Sequence, residues 1–273
     1  MKYSELIKRL SKISDEPKSE ARFILERCFS IPPSQIPILG DRELEDSVLE
    51  QILVRREGHV PLQYIFGKWE FMGNEFCVNE NCLIPRADTE LLVENALGFV
   101  KKGDRVADFC TGSGCIGLSI LLHSPLEKIS LVDISEGAID VAIENARHHG
   151  LFDRCTFILS DIRKLPRNEK YDLILSNPPY IPTKDLDTLS KEVQREPRLA
   201  LDGGENGLDI ISFLIGDGLE LLKPQGKMLI EFGYDQGGIM DTLLGKIKAV
   251  GKIASYKIKQ DYGGNPRLAI IEK

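Results

Sequence analysis

Asn177-Pro178-Pro179-Tyr180 is the segment of this 273-residue chain whose residue types suit a specific chemistry. An amide or exocyclic amino nitrogen is a poor nucleophile because its lone pair is delocalised. A site that methylates such a nitrogen must hold its N–H bonds and aim the lone pair at an electrophile. The Asn177 carboxamide oxygen and the Pro178 carbonyl can each accept one N–H. Pro178 and Pro179 restrict the backbone and contribute no competing N–H. Tyr180 offers a flat face for a planar group. Asn-Pro pairs also start ordinary turns, so the tetrapeptide alone is consistent with a rigid strand end.

A second constellation favours the chemical role. Asp108-Phe109-Cys110-Thr111-Gly112-Ser113-Gly114 closes an apolar run and leads at once into a helical pattern with Ile116, Leu118 and Ile120. Glycines there permit a tight turn and close ligand approach, and the free N–H groups of a helix start attract an anion. Asp133 ends the next run and can accept hydrogen bonds from both hydroxyls of an adenosine ribose. Asp161 ends the third, placed to reach an adenine amino group, with Ile162 beside the ring. Gly112 to Gly117 also fits the G-x-G-x-x-G dinucleotide fingerprint, and the loop by itself does not separate a nicotinamide cofactor from S-adenosyl-L-methionine. The tetrapeptide at the fourth strand favours the methyl donor, with S-adenosyl-L-homocysteine as product.

These residues need a scaffold that brings strand ends together. Runs at Arg105 to Cys110, Lys128 to Ile134, Cys155 to Asp161, Tyr171 to Asn177, Gly226 to Gly233, Gly251 to Lys259 and Arg267 to Glu272 read as strands. Helical patterns begin near Thr89, Ser113, Ser135, Gly207 and Asp235, the first running to about Lys101. Alternation of this kind predicts an α/β, doubly wound, mainly parallel sheet with ligands at the carboxyl ends of its strands. The last two strands follow one another too closely for a parallel crossover, so they close as an antiparallel hairpin.

Before this region, Trp69 and Phe71 alternate toward Phe76 and Val78 across a Gly73-Asn74 turn, predicting a β-hairpin. The first 60 residues read as helices. Tyr3, Leu6, Ile7 and Leu10 share one face, and Phe23, Ile24, Arg27 and Cys28 continue a similar spacing. A third helix is expected from Asp41, as N-cap, to Arg56, with Ile31 to Pro37 as a loop before it.

Hydrophobic content of 42% supplies a sizeable core. No apolar run reaches the roughly 18 residues of a bilayer span and the start lacks a signal-peptide layout, so a cytoplasmic protein without membrane contact is expected. The net charge of −7 disfavours broad adhesion to phosphate backbones, which turns the substrate question toward protein or small molecule. None of the six cysteines forms a Cys-x-x-Cys pair; they read as reduced, mostly buried small hydrophobes. His148 and His149 sit at a helix end, and no metal site is expected.

The chain resembles the HemK/PrmC family of protein-(glutamine-N5) methyltransferases. The likeness rests on Pro61-Leu62-Gln63-Tyr64-Ile65 with Gly67, on Glu70-Phe71-Met72-Gly73 with Phe76 and Val78, and on Ile84-Pro85-Arg86 leading to Asp88-Thr89-Glu90. It continues through the cofactor loop, Ser176 to Ile181, Glu196-Pro197 with Ala200-Leu201, and Gly203-Gly204 before Gly207-Leu208-Asp209. The resemblance implies a seven-stranded, Rossmann-like S-adenosylmethionine-dependent methyltransferase domain over residues 87–273, a β-hairpin linker over 67–86 and a helical substrate-recognition domain over 1–66. It implies as substrate the glutamine of a Gly-Gly-Gln loop in a peptide chain release factor; a monomer is expected, and the acidic balance predicts no direct nucleic-acid binding. That amide would sit on Asn177, Pro178, Pro179 and Tyr180. The implied cofactor positions are Cys110, Thr111, Gly112, Ser113, Gly114, Asp133, Ile162 and Asn177, beside Asp161 read from its strand end. Three positions depart from the family pattern: Ala87 replaces proline, Asn206 replaces an acidic residue, and Cys110 replaces the first glycine of the loop. If position 110 requires positive φ, its cysteine is strained. Arg86, Asp88 and Glu90 can start a helix or help close the cofactor cleft.

Overall fold

The computed structural model describes residues 1–39 and 43–273. The chain divides into two compact units, residues 1–66 with 191–195, and residues 67–190 with 196–273.

The first unit contains α1 (Tyr3–Leu10), α2 (Pro17–Phe29), α3 (Asp46–Glu57) and α4 (Leu62–Phe66). Its core gathers Leu6, Leu10, Ala21, Ile24, Leu25, Leu49 and Leu53. The expected loop before α3 holds a 3-10 turn over Pro33–Ile38. Helix α3 starts five residues later than its apolar stripe predicts, and the proposed cap Asp41 lies outside the described residues. The Leu44 N–H donates to the Met1 carbonyl at 3.0 Å, and Glu43 bridges Lys2, so backbone pairing keeps this stretch out of the helix. Arg56 is fully buried, yet donates to Glu20 and Glu192, each at 2.7 Å, and to the Val60 carbonyl at 3.0 Å. A buried guanidinium persists only when paired in this way.

The second unit opens with the hairpin β1 (Lys68–Phe71) and β2 (Asn74–Cys77). Its turn residues are Met72 and Gly73, at φ 51° and 69°, so the turn sits one residue earlier than predicted. The cause is the register: Phe71 pairs with Asn74. The Glu90 carboxylate accepts the Met72 N–H at 2.7 Å and stabilises this conformation.

Beyond the hairpin come α5 (Ala87–Leu97), β3 (Val106–Phe109), α6 (Cys115–His123), β4 (Ile129–Asp133), α7 (Glu136–His148), β5 (Cys155–Leu159) and β6 (Tyr171–Ser176). The remainder is α8 (Arg198–Leu201), α9 (Asp209–Ile215), β7 (Leu222–Glu231), α10 (Gly237–Ala249), β8 (Ser255–Gln260) and β9 (Pro266–Glu272). Helix α5 stops short of Lys101 because Gly98 ends it. Seven strands form one mixed sheet in the order β5-β4-β3-β6-β7-β9-β8. The first five are parallel, and β9 pairs antiparallel with both β7 and β8.

One apolar cluster includes Leu92, Val93, Leu118, Ile120, Leu131 and Ala142. Another includes Phe109, Ile174, Ile211, Leu214, Ile230 and Met240. The chain leaves β3 for β4 and β5, then returns to the other side of β3 as β6. That reversal splays the loops after β3 and β6 apart and opens a crevice at their carboxyl ends.

Candidate functional site

A cavity of about 570 Å³ occupies this crevice, inside the roughly 300–1,000 Å³ span of small-molecule sites. Cys110, Thr111, Gly112 and Ser113 line it from the end of β3, Asp133 from β4, Asp161 and Ile162 from beyond β5, and Asn177 and Pro179 from beyond β6. Parallel register explains the convergence. Phe109 pairs with both Val132 and Ser176, so the loops that follow start level with one another. The Ser176 hydroxyl donates to the Phe109 carbonyl at 2.9 Å and ties the two strand ends together.

The loop after β3 is held from beneath. Asp108 is fully buried and accepts from the Thr111 hydroxyl at 2.6 Å and the Gly117 N–H at 3.0 Å. A methyl group on Gly117 would meet Leu131 Cδ2 at 2.4 Å, so helix α6 can lie this close to the sheet only with glycine there. Gly114 (φ 80°) makes the turn into α6 and does not line the cavity.

Burial pushes the Asp108 carboxyl up to about 7, against the lowering by its two donors. The folded chain therefore binds this proton more tightly than the unfolded chain, whose carboxyl titrates near 3.8. That stabilisation is present at acid pH and lost as pH rises from about 4 to about 7. Asp133 and Glu231, also raised by burial, act in the same direction, and His149, lowered by burial, opposes them. Denaturant titrations at about pH 5 and about pH 8 should show the wild type losing stability with rising pH and Asp108→Asn losing less. An identical pH slope in both proteins would remove Asp108 as its source.

Cys110 adopts φ 59°, so its side chain sits in the left-handed region. Burial raises its thiol far above the usual range, which leaves it protonated and inert. Relief of left-handed strain, less the added freedom of an unfolded glycine, should make Cys110→Gly more stable by about 0.5–1 kcal/mol in urea denaturation. A destabilised variant would mean that the thiol packing outweighs the strain.

The observations fit an adenosyl cofactor. Asp133 accepts the Gly112 N–H and the Ser135 N–H, each at 2.9 Å and each on a different oxygen, which leaves further lone pairs on both. The Ser113 hydroxyl lines the cavity, is buried and has no partner among the described residues. A ligand or water atom in the cavity would complete its hydrogen bonding. Ile162 (buried) and Ile134 (half exposed) supply apolar walls. Asp161 is already engaged by Arg163, whose guanidinium donates at 2.8–3.1 Å and holds the carboxyl below its ordinary range.

Asn177 donates through Nδ2 to the Thr89 hydroxyl at 3.1 Å, leaving Oδ1 as the amide atom available to a ligand. Pro178 is buried and Tyr180 is half-buried; neither lines the cavity. The Tyr180 carbonyl instead accepts from Gln236 Nε2 at 2.9 Å, and burial pushes the Tyr180 phenol up to about 12. Of Arg86, Asp88 and Glu90, Arg86 alone reaches the cavity, beside Thr89. Asp88 pairs with Arg267 at 3.2 Å, and Glu90 supports the hairpin turn.

Sequence motifs include Glu196, Gly207 and Thr89 without assigning them a role, and Glu231 has neither motif nor role there. Glu196 is buried and accepts from the Ile84 N–H at 3.0 Å and from Arg86, tying Ile84-Pro85-Arg86 to Glu196-Pro197. Gly207 approaches so closely that a methyl group on it would lie 2.3 Å from the Tyr180 carbonyl. Thr89 and Glu231, both buried, stand behind Asn177. Glu231 left one visible trace, a carboxylate interrupting the apolar run Met228-Leu229-Ile230-Glu231-Phe232.

Residues 3–67 match the PrmC N-terminal domain family and residues 87–204 the Methyltransferase small domain family. The chain is 38% identical to the release factor glutamine methyltransferase of Moorella thermoacetica, over 96% of this chain and 94% of that protein. It is 32% identical to the protein of the same description from Aquifex aeolicus, over 100% and 96%. Among solved structures, the ribosomal protein L11 methylase of Lactobacillus delbrueckii subsp. bulgaricus aligns with TM-score 0.50 and 18% identity, covering 72% of this chain and 83% of that one. This last likeness concerns the fold alone. Among the described residues, no helix is long and apolar enough to cross a membrane, and no three His, Cys, Asp or Glu side chains cluster as a metal site.

Proposed function

Because the chain belongs to the release factor glutamine methyltransferase family, we propose that its cavity binds S-adenosyl-L-methionine and presents the bound methyl to a glutamine side chain docked at Asn177. The protein is an S-adenosylmethionine-dependent methyltransferase that modifies the N5 amide of a peptide chain release factor. The observation that carries the site assignment is the Asn177 amide, its nitrogen tied back to Thr89 and its oxygen free at a cavity lined by strand-end carboxylates.

When bound, the cofactor supplies an electrophilic methyl on a sulfonium. Asn177 Oδ1 and the Pro178 carbonyl each accept one N–H of the substrate amide and orient its lone pair, while Tyr180 and Pro179 flank its plane. The nitrogen gains the methyl and releases one proton to solvent, and S-adenosyl-L-homocysteine leaves. Cys110, Thr111, Gly112 and Ser113 would hold the amino-acid end of the cofactor, Asp133 its ribose hydroxyls, and Asp161 with Ile162 its adenine. In this proposal the doubly wound seven-stranded sheet over residues 87–273 carries the chemistry, residues 67–86 form the linker, and the helical residues 1–66 recognise the release factor. We place the enzyme in the cytoplasm as a monomer, since its substrate is a translation factor, and its net charge of −7 argues against direct nucleic-acid binding.

The test incubates purified protein and methyl-labelled cofactor with a release factor and maps the label by mass spectrometry. Label on the loop glutamine is the expected result. Label on any other residue, or on nucleic acid, rejects the substrate assignment.

A further inference from the structure

The segment from Asn177 to Thr183 cannot be held as an ordinary strand. Pro178, Pro179 and Pro182 remove three of its backbone donors, so its carbonyl groups must find donors elsewhere. Two other stretches of the same unit supply them.

The first is the connection between α8 and α9. The Ile181 N–H donates to the Leu201 carbonyl at 2.9 Å, the Gly203 N–H to the Ile181 carbonyl at 2.8 Å, and the Thr183 N–H to the Gly204 carbonyl at 2.9 Å. Gly203 passes so close that a methyl group on it would lie 2.8 Å from the Pro179 carbonyl oxygen.

The second is Gln236, buried at the start of α10. Its Nε2 donates to the Tyr180 carbonyl at 2.9 Å and to the Gly207 carbonyl at 3.1 Å, and its Oε1 accepts the Gly233 N–H at 2.8 Å. Both donor hydrogens and the oxygen are thus engaged, and a reversed carboxamide would set its oxygen against two carbonyls. Three partners therefore fix which way round Gln236 sits. Gly207, at φ 71°, closes the contact from the far side, where a methyl group would lie 2.9 Å from Gln236 Nε2.

The Tyr180 carbonyl and the Ile181 N–H belong to one rigid peptide plane. Gln236 holds one edge of it and Leu201 the other, while Gly203 crowds the plane before it. The Tyr180 Cα lies between these planes, so fixing both fixes the direction in which the ring leaves the backbone. We propose that Gln236 is a positioning residue for methyl transfer, which by holding the Tyr180 carbonyl sets the Tyr180 ring against the plane of the substrate amide. Gln236 does not line the cofactor cavity, so it acts through Tyr180 and leaves cofactor binding alone. With that carbonyl released, the plane keeps only its tie to Leu201 and the ring loses its fixed attitude. A displacement of about 1 Å in a group that orients a reactant costs roughly 10² in rate.

This inference deepens the proposed function and rests on its role for Tyr180, but one readout needs neither methyl donor nor acceptor. Gln236→Met keeps an unbranched side chain and removes all three hydrogen bonds. It should lower kcat by about 10–10²-fold, with the release-factor KM changed by less than about three-fold and the Kd for S-adenosylmethionine unchanged. Gln236→Glu keeps the shape and the acceptor for Gly233 but cannot donate to both carbonyls, so it should show the same split and decides the matter if Gln236→Met does not fold. In the apo protein carrying ¹³C-labelled carbonyls, the Tyr180 resonance should move upfield in either variant, as a carbonyl does on losing a hydrogen bond. The Phe109 carbonyl, which accepts from Ser176, should stay in place. Wild-type kcat in the folded variants, or an unmoved Tyr180 carbonyl, overturns the proposal. A loss of cofactor affinity as large as the loss of turnover overturns it too, because Gln236 would then support the fold as a whole. Failure of the wild type to methylate any release factor overturns the substrate assignment instead, and the carbonyl resonance still decides whether Gln236 holds Tyr180.

Discussion

Replacing Asn177 with alanine should lower kcat by roughly 10²-fold or more, the range seen when one preorganised hydrogen-bonding group is removed from a reacting centre. The side chain contributes little to folding, since its hydrogen bond is to Thr89 at the cavity edge. Its loss leaves the substrate amide held by one acceptor, free to rotate its lone pair away from the methyl. The release-factor KM should change much less than kcat, because one hydrogen bond is a small fraction of a protein–protein contact and orientation matters most at the transition state. Single-turnover transfer at saturating cofactor reads the effect. Near-normal turnover would contradict the role given to Asn177 and with it the site assignment.

Asp133→Ala should raise the Kd for S-adenosylmethionine by roughly 10²–10³-fold, measured by calorimetry. Two losses combine. The carboxylate oxygens left open for the ribose hydroxyls disappear, and so do the acceptors that hold Gly112 and Ser135 in place. Hydrogen bonds to a charged group are stronger than neutral ones, so losing two exceeds an ordinary polar truncation. Asp133→Asn separates the contributions, because one carboxamide oxygen cannot serve both backbone donors and two hydroxyls. An alanine variant that binds the cofactor as tightly as the wild type would exclude Asp133 from the nucleoside site.

The two variants probe opposite sides of one crevice, and their expected signatures differ. Asn177→Ala acts on turnover, Asp133→Ala on cofactor affinity. A result in which both fail only in cofactor binding would move Asn177 from the substrate side to the cofactor side of the cavity.

Patterns local in the chain were legible before the fold was. Apolar runs ending in Asp108, Asp133 and Ser176 mark buried strands, and in a parallel sheet such ends converge at one edge. The glycine loop, Asp133, Asp161 and Asn177 could therefore be grouped from sequence order alone. Helix boundaries set by distant partners were not legible. The start of α3 depends on Met1 and Lys2, and the hairpin turn depends on Glu90.

By itself the sequence determined which chemistry is available: residue types, their order along alternating elements, and the family likeness that names a glutamine as acceptor. Tertiary structure alone decided how those groups are tuned. It buries Asp108 and Glu231, raising both to about 7, and it puts Cys110 at positive φ. It also joins Glu196 to Ile84 across the chain and sets Thr89 beside Asn177. The physical reason is that turn conformation, helical hydrogen bonding and hydrophobic periodicity act between near neighbours and leave a trace in spacing. Desolvation and the polarity of a hydrogen-bond chain depend instead on everything packed around a group, and most of that comes from elsewhere in the sequence.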